Sequence, residues 1–391
     1  MRKKICLYLG AKPSGGGTFQ YNQAMIDAVT ALPADQFAVT IVCSSALWFE
    51  YLNPFSVEKL LVQPLLVVQA VRKLWRRLGL PMSWWLQLVR RLCPVIRSLQ
   101  LLNPDLCIFP SQDTHCFESG LPSLCTIHDL MHRYEKRFSE ISAAGEYRNR
   151  ELKYMNICRC AAGILVDSDL GKRQVMESYG LTADRLHVLP YVAPRYVYVD
   201  GVPEGFDDRY RLPPRYLFYP AQFWEHKNHR NLLKAMAGLK PAIPDLKLVL
   251  AGSEQGAYGA TVKLIKELNL ESDIAILGYV PDRDMPELYR RARALVMPTF
   301  FGPTNIPPLE AMALGCPVAV SKIYGMPEQV GDAALLFDPS SPEEMGDAIL
   351  RLWTDDLLCA ELSRKGRMRD QQWRQEHFNK RLEEIVAGIL R

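Results

Sequence analysis

Short apolar runs alternate with helix-length amphipathic stretches along nearly the whole chain. The first series of runs falls at Lys4 to Leu9, Phe37 to Cys43, Leu106 to Phe109, Ser123 to Ile127 and Gly163 to Val166. Strand-length runs separated by helix-length segments build a mostly parallel, doubly wound sheet, so the first part of the chain is read as α/β. The run at Lys4 to Leu9 is followed by the turn-rich Pro13-Ser14-Gly15-Gly16-Gly17 and then by a helical pattern from Thr18 to about Leu32, a strand, glycine loop, helix unit. A second series falls at Tyr216 to Tyr219, Leu246 to Ala251, Ile274 to Leu277, Ala294 to Met297 and Pro317 to Val320. Between the two series, 200–215 is rich in Pro, Gly and Asp, the composition of a linker. The expected organisation is a first α/β domain over 1–200, a second over 201–370, and a terminal helix over 371–391.

A length of 391 residues supports two domains of ordinary size. With 48% hydrophobic and 23% charged residues, the chain has the balance of a globular protein and not that of a disordered or fibrous one. The 47 Lys and Arg against 43 Asp and Glu leave +4, too little for nucleic acid as the main partner. The ten cysteines include no CxxC pair and no zinc-type spacing, so they read as small buried hydrophobes in a reducing compartment. The apolar stretch after Met1-Arg-Lys-Lys is too short for a signal-peptide core, and no run is long enough to span a bilayer. The expected location is cytoplasmic.

Chemistry is suggested most strongly by Met297-PTFFGPTNIPPLEAMALGCPVAVS. A strand ends near Met297, a Gly302-Pro303-Thr304-Asn305 loop follows, and Pro307-Pro308 open a helix that carries Glu310 in its first turn and stops at Gly315. Free N–H groups and the dipole at that helix start suit a diphosphate, and Glu310 could accept hydrogen bonds from ribose hydroxyls. Glu at a helix start is also simply good helix chemistry. In Tyr219-PAQFWEHKN, Lys227 stands before a helix that Asn228 can cap and could neutralise a phosphate, or be an exposed lysine. Gly16 and Gly17 would allow close backbone approach to a ligand, or merely a tight turn.

The string IPPLEAMALGCPVAVS, continued by Gly325-MPEQVGDAALLF, closely resembles the nucleotide-sugar motif of the retaining glycosyltransferases of family 4. That resemblance implies the GT-B fold, two Rossmann-like domains facing a cleft with a C-terminal helix crossing back to the first. It implies a hexose, mannose-like or other, moved from a GDP- or UDP-linked donor to a hydroxyl of a glycan or lipid-linked saccharide, in synthesis of O-antigen, capsule or exopolysaccharide. It also implies no metal and no further cofactor, the leaving diphosphate itself helping to deprotonate the acceptor. In the family two glutamates are separated by seven residues, and Gly302 stands where the first belongs. By likeness to bacterial members that share the FGPTN form, Thr304, Asn305 and the loop backbone are expected at the donor sugar, with Ile306 among the donor-binding residues. The family's Arg and Lys on the diphosphate correspond to Gln222 and Lys227. Gly16 and Gly17 match its glycine loop, and Cys125-TIHDL matches its HD motif, so that His128 would contact the transferred sugar while Asp129 caps a loop. Gly252, Ser253, Tyr279 and Val280 resemble the nucleobase walls. Asp167-Ser168-Asp169 is spelled like the metal motif of another glycosyltransferase architecture, but a Ser- or Asp-capped helix is the simpler account. The departures at Gly302 and Gln222 keep a non-catalytic binding subunit open, as does a sugar-nucleotide epimerase on the same fold.

Between Glu58 and Asp105 there is no acidic residue. Arg72, Lys73, Arg76 and Arg77 alternate there with an apolar face of Val67, Val71, Leu74, Trp75 and Leu78, and Trp84 and Trp85 follow. Such a basic, aromatic helix suits the inner face of a plasma membrane with anionic lipid, and the same pattern suits a helix packed on the domain core.

Overall fold

The computed structural model describes residues 2–13, 16–78, 80–143 and 145–391, without the side chains of Arg76 and Arg77. Ser14 and Gly15 of the glycine turn thus lie outside the described residues. The chain divides into two compact units, the first made of Met1–Leu130, Tyr147–Pro190 and Gln375–Arg391, the second of Met131–Glu146 and Tyr191–Arg374.

The first unit holds strands β1 (Lys3–Leu9), β2 (Phe37–Cys43), β3 (Glu58–Leu61), β4 (Leu106–Phe109), β5 (Ser123–Thr126), β6 (Gly163–Val166) and β7 (Leu186–Val188). They form one sheet in the order β3-β2-β1-β4-β5-β6-β7, with every neighbouring pair parallel. The second unit holds β8 (Leu217–Pro220), β9 (Leu248–Ala251), β10 (Ile274–Ile276), β11 (Ala294–Met297), β12 (Val318–Ser321) and β13 (Ala334–Phe337). Their order is β10-β9-β8-β11-β12-β13, again all parallel. Both units are Rossmann-like α/β folds.

Helices cover both faces of such sheets, so interior strands are uniformly apolar: every residue of β4, β5, β6, β9, β11 and β12 is buried. Three strands have no counterpart in the apolar runs, namely β3, β7 and β13, and all three are sheet edges. Two of them are mostly half-buried and carry a charged or imidazole side chain, as in Glu58-Lys-Leu-Leu and Leu186-His-Val, so they show no continuous apolar stretch. In each sheet the strand order reverses at one point, between β1 and β4 and between β8 and β11, where parallel sheets take their ligands.

The final helix, Gln375–Ile389, packs in the first unit. Gln375 Nε2 donates to the Ala24 carbonyl at 2.9 Å in the helix Gly17–Thr30, and the buried Phe378 ring lies 6.1 Å from Tyr21. The segment 191–200, assigned from the linker composition to the first domain, groups with the second unit because Tyr196 and Tyr198 donate their hydroxyls to Glu310 and Asp370. Met131–Glu146 groups there too, since Met131, Phe138 and Ile141 share an apolar cluster with Phe300. Among the described residues, no helix is long and apolar enough to cross a membrane.

Candidate functional site

At the carboxyl end of β8 the chain makes a 3₁₀ turn, Glu225–Lys227, and enters the helix His229–Leu239 through Asn228 at φ 60°. Asn tolerates this left-handed conformation better than most residues. Its side chain does not cap the helix as the sequence suggested; Nδ2 donates instead to the carbonyls of Pro298 (2.9 Å) and Pro339 (2.8 Å). Tyr219 Oη donates to the Lys227 carbonyl at 2.8 Å. This turn is therefore held from below by a strand and from the side by the loop after β11.

Lys227 forms no ion pair among the described residues, and burial alone brings its ammonium down to about 8. His229, beside it, is buried with neither ring nitrogen hydrogen-bonded among the described residues, its ring stacked on Phe223 at 4.5 Å. Burial, with Lys227 adding to it, pushes this imidazole down to about 3. His226 is held still lower, at about 2, by burial and then by its two basic neighbours, so it is neutral and donates Nδ1–H to Glu140 Oε1 at 2.7 Å. A lysine with no ion pair among the described residues, flanked by two neutral imidazoles, thus stands where the second sheet reverses its order.

The remaining loops on this edge touch one another. Gly252 has φ 149°, and a Cβ there would stand 2.2 Å from the Ala221 carbonyl oxygen, so only glycine lets the loops after β8 and β9 lie in contact. Gly252 N donates to the Gly278 carbonyl (2.7 Å) and Phe223 N to the Ser253 carbonyl (3.2 Å). Gln222, Gly252, Ser253, Tyr279 and Val280 thereby come to one edge with Lys227. Gln222 is exposed and its Oε1 accepts from Trp224 Nε1 at 2.9 Å; Tyr279 is 64% exposed and Val280 is buried.

The loop after β11 is braced from three sides. Phe300 N donates to the His226 carbonyl at 2.8 Å, and the Phe301 ring stacks on His226 at 3.7 Å with planes 14° apart. Asn305 Nδ2 donates to the Phe301 carbonyl at 3.0 Å. The Asn305 backbone is gripped at both ends by Gln329, whose Oε1 accepts from the N–H at 3.0 Å and whose Nε2 donates to the carbonyl at 2.6 Å. Gly302, at φ 99°, would place a Cβ 2.6 Å from the Thr304 carbonyl oxygen and 2.7 Å from Asn305 Nδ2. The residue standing where the family has its first glutamate is thus required by the path of the backbone.

The helix that follows runs Ile306–Leu314 with Asn305 as N-cap, and ends at Gly315 with φ 73°. Glu310 is its fifth residue and lies past the first turn, a correction to the sequence reading. The free N–H groups expected at this helix start are also fewer. Pro307 and Pro308 have none, Asn305 N–H is taken by Gln329, and Ile306 N–H remains. Glu310 is 5% exposed, with Tyr196 donating to Oε1 and Tyr289 to Oε2. Burial raises its carboxyl to about 7, against the pull of the two tyrosine hydroxyls.

In the first unit, Gly16 (φ 106°) is the N-cap of the helix that begins at Gly17. His128, at the end of β5, donates Nε2–H to the Pro110 carbonyl at 3.1 Å and meets the Tyr21 ring edge-on at 4.9 Å. Burial lowers its basicity, so the ring is neutral. Arg150 reaches Asp129 at 3.4 Å. Ser168 caps the helix Asp169–Tyr179, its Oγ accepting from Gly171 N at 3.0 Å, the role anticipated for that triplet.

The basic, aromatic segment divides differently from the wheel. Trp85 is buried and donates Nε1–H to Glu118 Oε1 at 2.8 Å, while Arg72 pairs with the other oxygen of this fully buried carboxylate at 2.6 Å. Trp75 lies against Trp85 at 5.7 Å. These three residues of the expected patch serve the core. Facing outward are Leu66 (80% exposed), Val67, Leu74, Leu78 and Trp84 (61%), with Lys73 exposed among them; the side chains of Arg76 and Arg77 lie outside the described residues.

Sequence reasoning missed Tyr196 and Tyr289 on Glu310, Glu140 on His226, and Gln329 on Asn305. Of the residues they serve, only His226 was not singled out, although it stands next to Lys227 in the same string. The holders themselves lie 21 to 114 positions from their partners, and nothing in local spacing marks them.

Residues 207–369 match the family model described as glycosyl transferases group 1. The O-antigen chain mannosyltransferase B of Escherichia coli is 30% identical over 285 residues, 69% of this chain and 74% of that protein. The mannosylfructose-phosphate synthase of Agrobacterium fabrum is 28% identical over 204 residues, 49% of this chain and 45% of that one. Among solved structures, Anabaena HepE in complex with UDP-glucose superimposes with TM-score 0.72 at 16% identity, covering 98% of this chain and 99% of that one. WaaG, a glycosyltransferase involved in lipopolysaccharide biosynthesis, gives 0.70 at 14% identity, with 98% and 100% covered. The two structural likenesses establish the GT-B fold, and the identity and coverage shared with mannosyltransferase B establish the kinship: the chain belongs to the group 1 glycosyl transferases.

Proposed function

We propose that this glycosyltransferase moves a hexosyl group, mannosyl by its kinship with the O-antigen enzyme, from a GDP- or UDP-linked donor to a saccharide hydroxyl, with retention of configuration. The observation that carries the donor site is Lys227, a desolvated ammonium without a counter-ion among the described residues, at the switch point of the second sheet. A diphosphate supplies the missing negative charge, and the lysine gains most as charge develops on the leaving group. Gln222 and Ile306 N–H add uncharged donors. Glu310 keeps one lone pair per oxygen for the ribose hydroxyls. The walls at Gly252, Ser253, Tyr279 and Val280 border the base, and Thr304 and Asn305 meet the sugar. The bond from the anomeric carbon to the diphosphate oxygen breaks, a bond to the acceptor oxygen forms on the same face, and the acceptor proton passes to the departing phosphate. His128, uncharged, contacts the transferred sugar, and Gly16 and Gly17 allow close approach beside it. Titrating GDP and UDP separately into wild type and Glu310→Gln tests the site. The preferred nucleotide is expected to bind Glu310→Gln about tenfold more weakly, one hydrogen bond to a charged group. Equal affinity in the two proteins would remove Glu310 from it.

We further propose that the outward stripe Leu66, Val67, Leu74, Leu78 and Trp84, with Lys73, rests on an anionic membrane surface where a lipid-linked acceptor would be met. Large apolar side chains this exposed beside a cation are the features of an interfacial helix. Replacing Leu66, Leu74 and Trp84 by Ser, which leaves the Arg72–Glu118–Trp85 core intact, is expected to abolish sedimentation with phosphatidylglycerol vesicles. Undiminished sedimentation would assign the stripe elsewhere.

A further inference from the structure

The first unit has its own switch point, between β1 and β4, and the loops leaving these two strands meet there. A Cβ on Gly10, just after β1, would stand 2.4 Å from Asp113 Oδ2 on the loop after β4. Glycine at that position is what leaves room for the carboxylate.

Asp113 is rigidly oriented. Its Oδ1 accepts from His115 Nδ1 at 2.6 Å and from the His115 backbone N–H at 2.8 Å. His115 Nε2 lies 3.7 Å from Cys93 Sγ, and the Tyr8 ring meets the imidazole edge-on at 5.3 Å. Burial by itself would lower this histidine, but the charge and hydrogen bond of Asp113 carry it up to about 10, so the two form an ion pair. The loop before them is fixed as well: His128 Nε2 donates to the Pro110 carbonyl and Cys125 Sγ to the Ser111 carbonyl at 3.3 Å.

Two polar atoms of this loop have no hydrogen-bond partner among the described residues. One is Asp113 Oδ2, an acceptor, since both bonds to this carboxylate fall on Oδ1; the other is the buried Gln112 Nε2, a donor. An oriented acceptor and an unpaired donor on one loop fit hydroxyl groups, each of which can both give and take a hydrogen bond. It does not fit an anion, because the positive charge of His115 is already matched by Asp113. Resting on the transferase reading above, we infer that Asp113 and Gln112 bind hydroxyls of the saccharide acceptor at the β1/β4 switch point.

The probe is methyl α-D-mannopyranoside, titrated onto the full chain by saturation-transfer NMR. Saturable binding to wild type is expected, weakened ten- to hundredfold in Asp113→Asn, the loss of a charge-assisted hydrogen bond. Asp113→Asn also strips His115 of its counter-ion, so Gln112→Ala is the companion variant: the amide nitrogen it removes has no partner, the fold is undisturbed, and binding should weaken several-fold. Absence of mannoside binding to wild type, or equal binding to wild type and Gln112→Ala, overturns the assignment. GDP and UDP titrated on the same samples separate this outcome from failure of the donor site, since their affinities do not depend on the first unit's loop.

Discussion

Lys227→Met should lose tight nucleoside diphosphate binding and, at the same time, melt at a higher temperature than wild type. The two effects share one cause. An ammonium withdrawn from water without a counter-ion opposes folding, and methionine fills the same space without that penalty. A gain of about 1 kcal/mol would raise the melting temperature of a domain this size by roughly 2–4 °C, whereas loss of the contact with the diphosphate should weaken binding about ten- to hundredfold. The pH dependence fixes the sign. The native lysine titrates near 8 and its unfolded counterpart near 10.5, so the penalty is fully present below pH 8 and fades as pH rises toward 10.5. The stability advantage of Lys227→Met must therefore shrink over that window. A variant that binds poorly and also melts lower would make Lys227 a structural residue.

The same titrations predict the shape of nucleotide affinity in wild type. Glu310 is protonated below about 7 and Lys227 loses its charge above about 8, so affinity should rise through the first value and fall through the second. The rising limb belongs to Glu310 to the extent that Glu310→Gln flattens it, which separates it from ionisation of the phosphate.

Both sheets were legible because their interior strands are covered on two faces and must be apolar throughout, as Leu106–Phe109 and Ala294–Met297 are. The edges were not, because Glu58–Leu61 has one half-exposed flank and needs no apolar run. The loops proposed to hold the donor stood out for a different reason: Lys227, Gly302 and Glu310 lie in contiguous strings that resemble a family motif. Their electrostatic character was not. Nothing at the level of sequence indicates that Glu310 is enclosed by Tyr196 and Tyr289, or that His226 is pinned between Glu140 and Phe301, because each of these contacts joins residues distant in the chain. The basic segment shows the opposite limit. Its wheel displays one apolar face, yet two apolar surfaces exist, one around Trp75 and Trp85 that meets the buried Glu118 and one around Leu66 and Leu74 that meets solvent. Periodicity marks amphipathic character but does not say which stripe the core takes.

Gly302→Glu introduces the residue that the motif this loop resembles has at the position, and it should reduce transfer instead of improving it. At φ 99° any L side chain is strained, and the added Cβ would be forced to within 2.6 Å of the Thr304 carbonyl oxygen and 2.7 Å of Asn305 Nδ2. Since both distances are shorter than atoms tolerate, the loop must move. That movement breaks the bond from Asn305 Nδ2 to the Phe301 carbonyl, loosens the Gln329 clamp, and disturbs Phe301 on His226, one residue from Lys227. The expected result is a loss of about 1–3 kcal/mol in stability and at least a tenfold fall in turnover of the nucleotide-sugar donor. Gly302→Ala is the decisive companion because it adds the Cβ without the carboxylate. If both variants lose activity and stability alike, the backbone path explains the glycine, and the donor sugar is held by other groups of the loop. Should Gly302→Glu turn over faster than wild type while Gly302→Ala does not, the carboxylate has found its family role and the loop is less constrained than its hydrogen bonds imply.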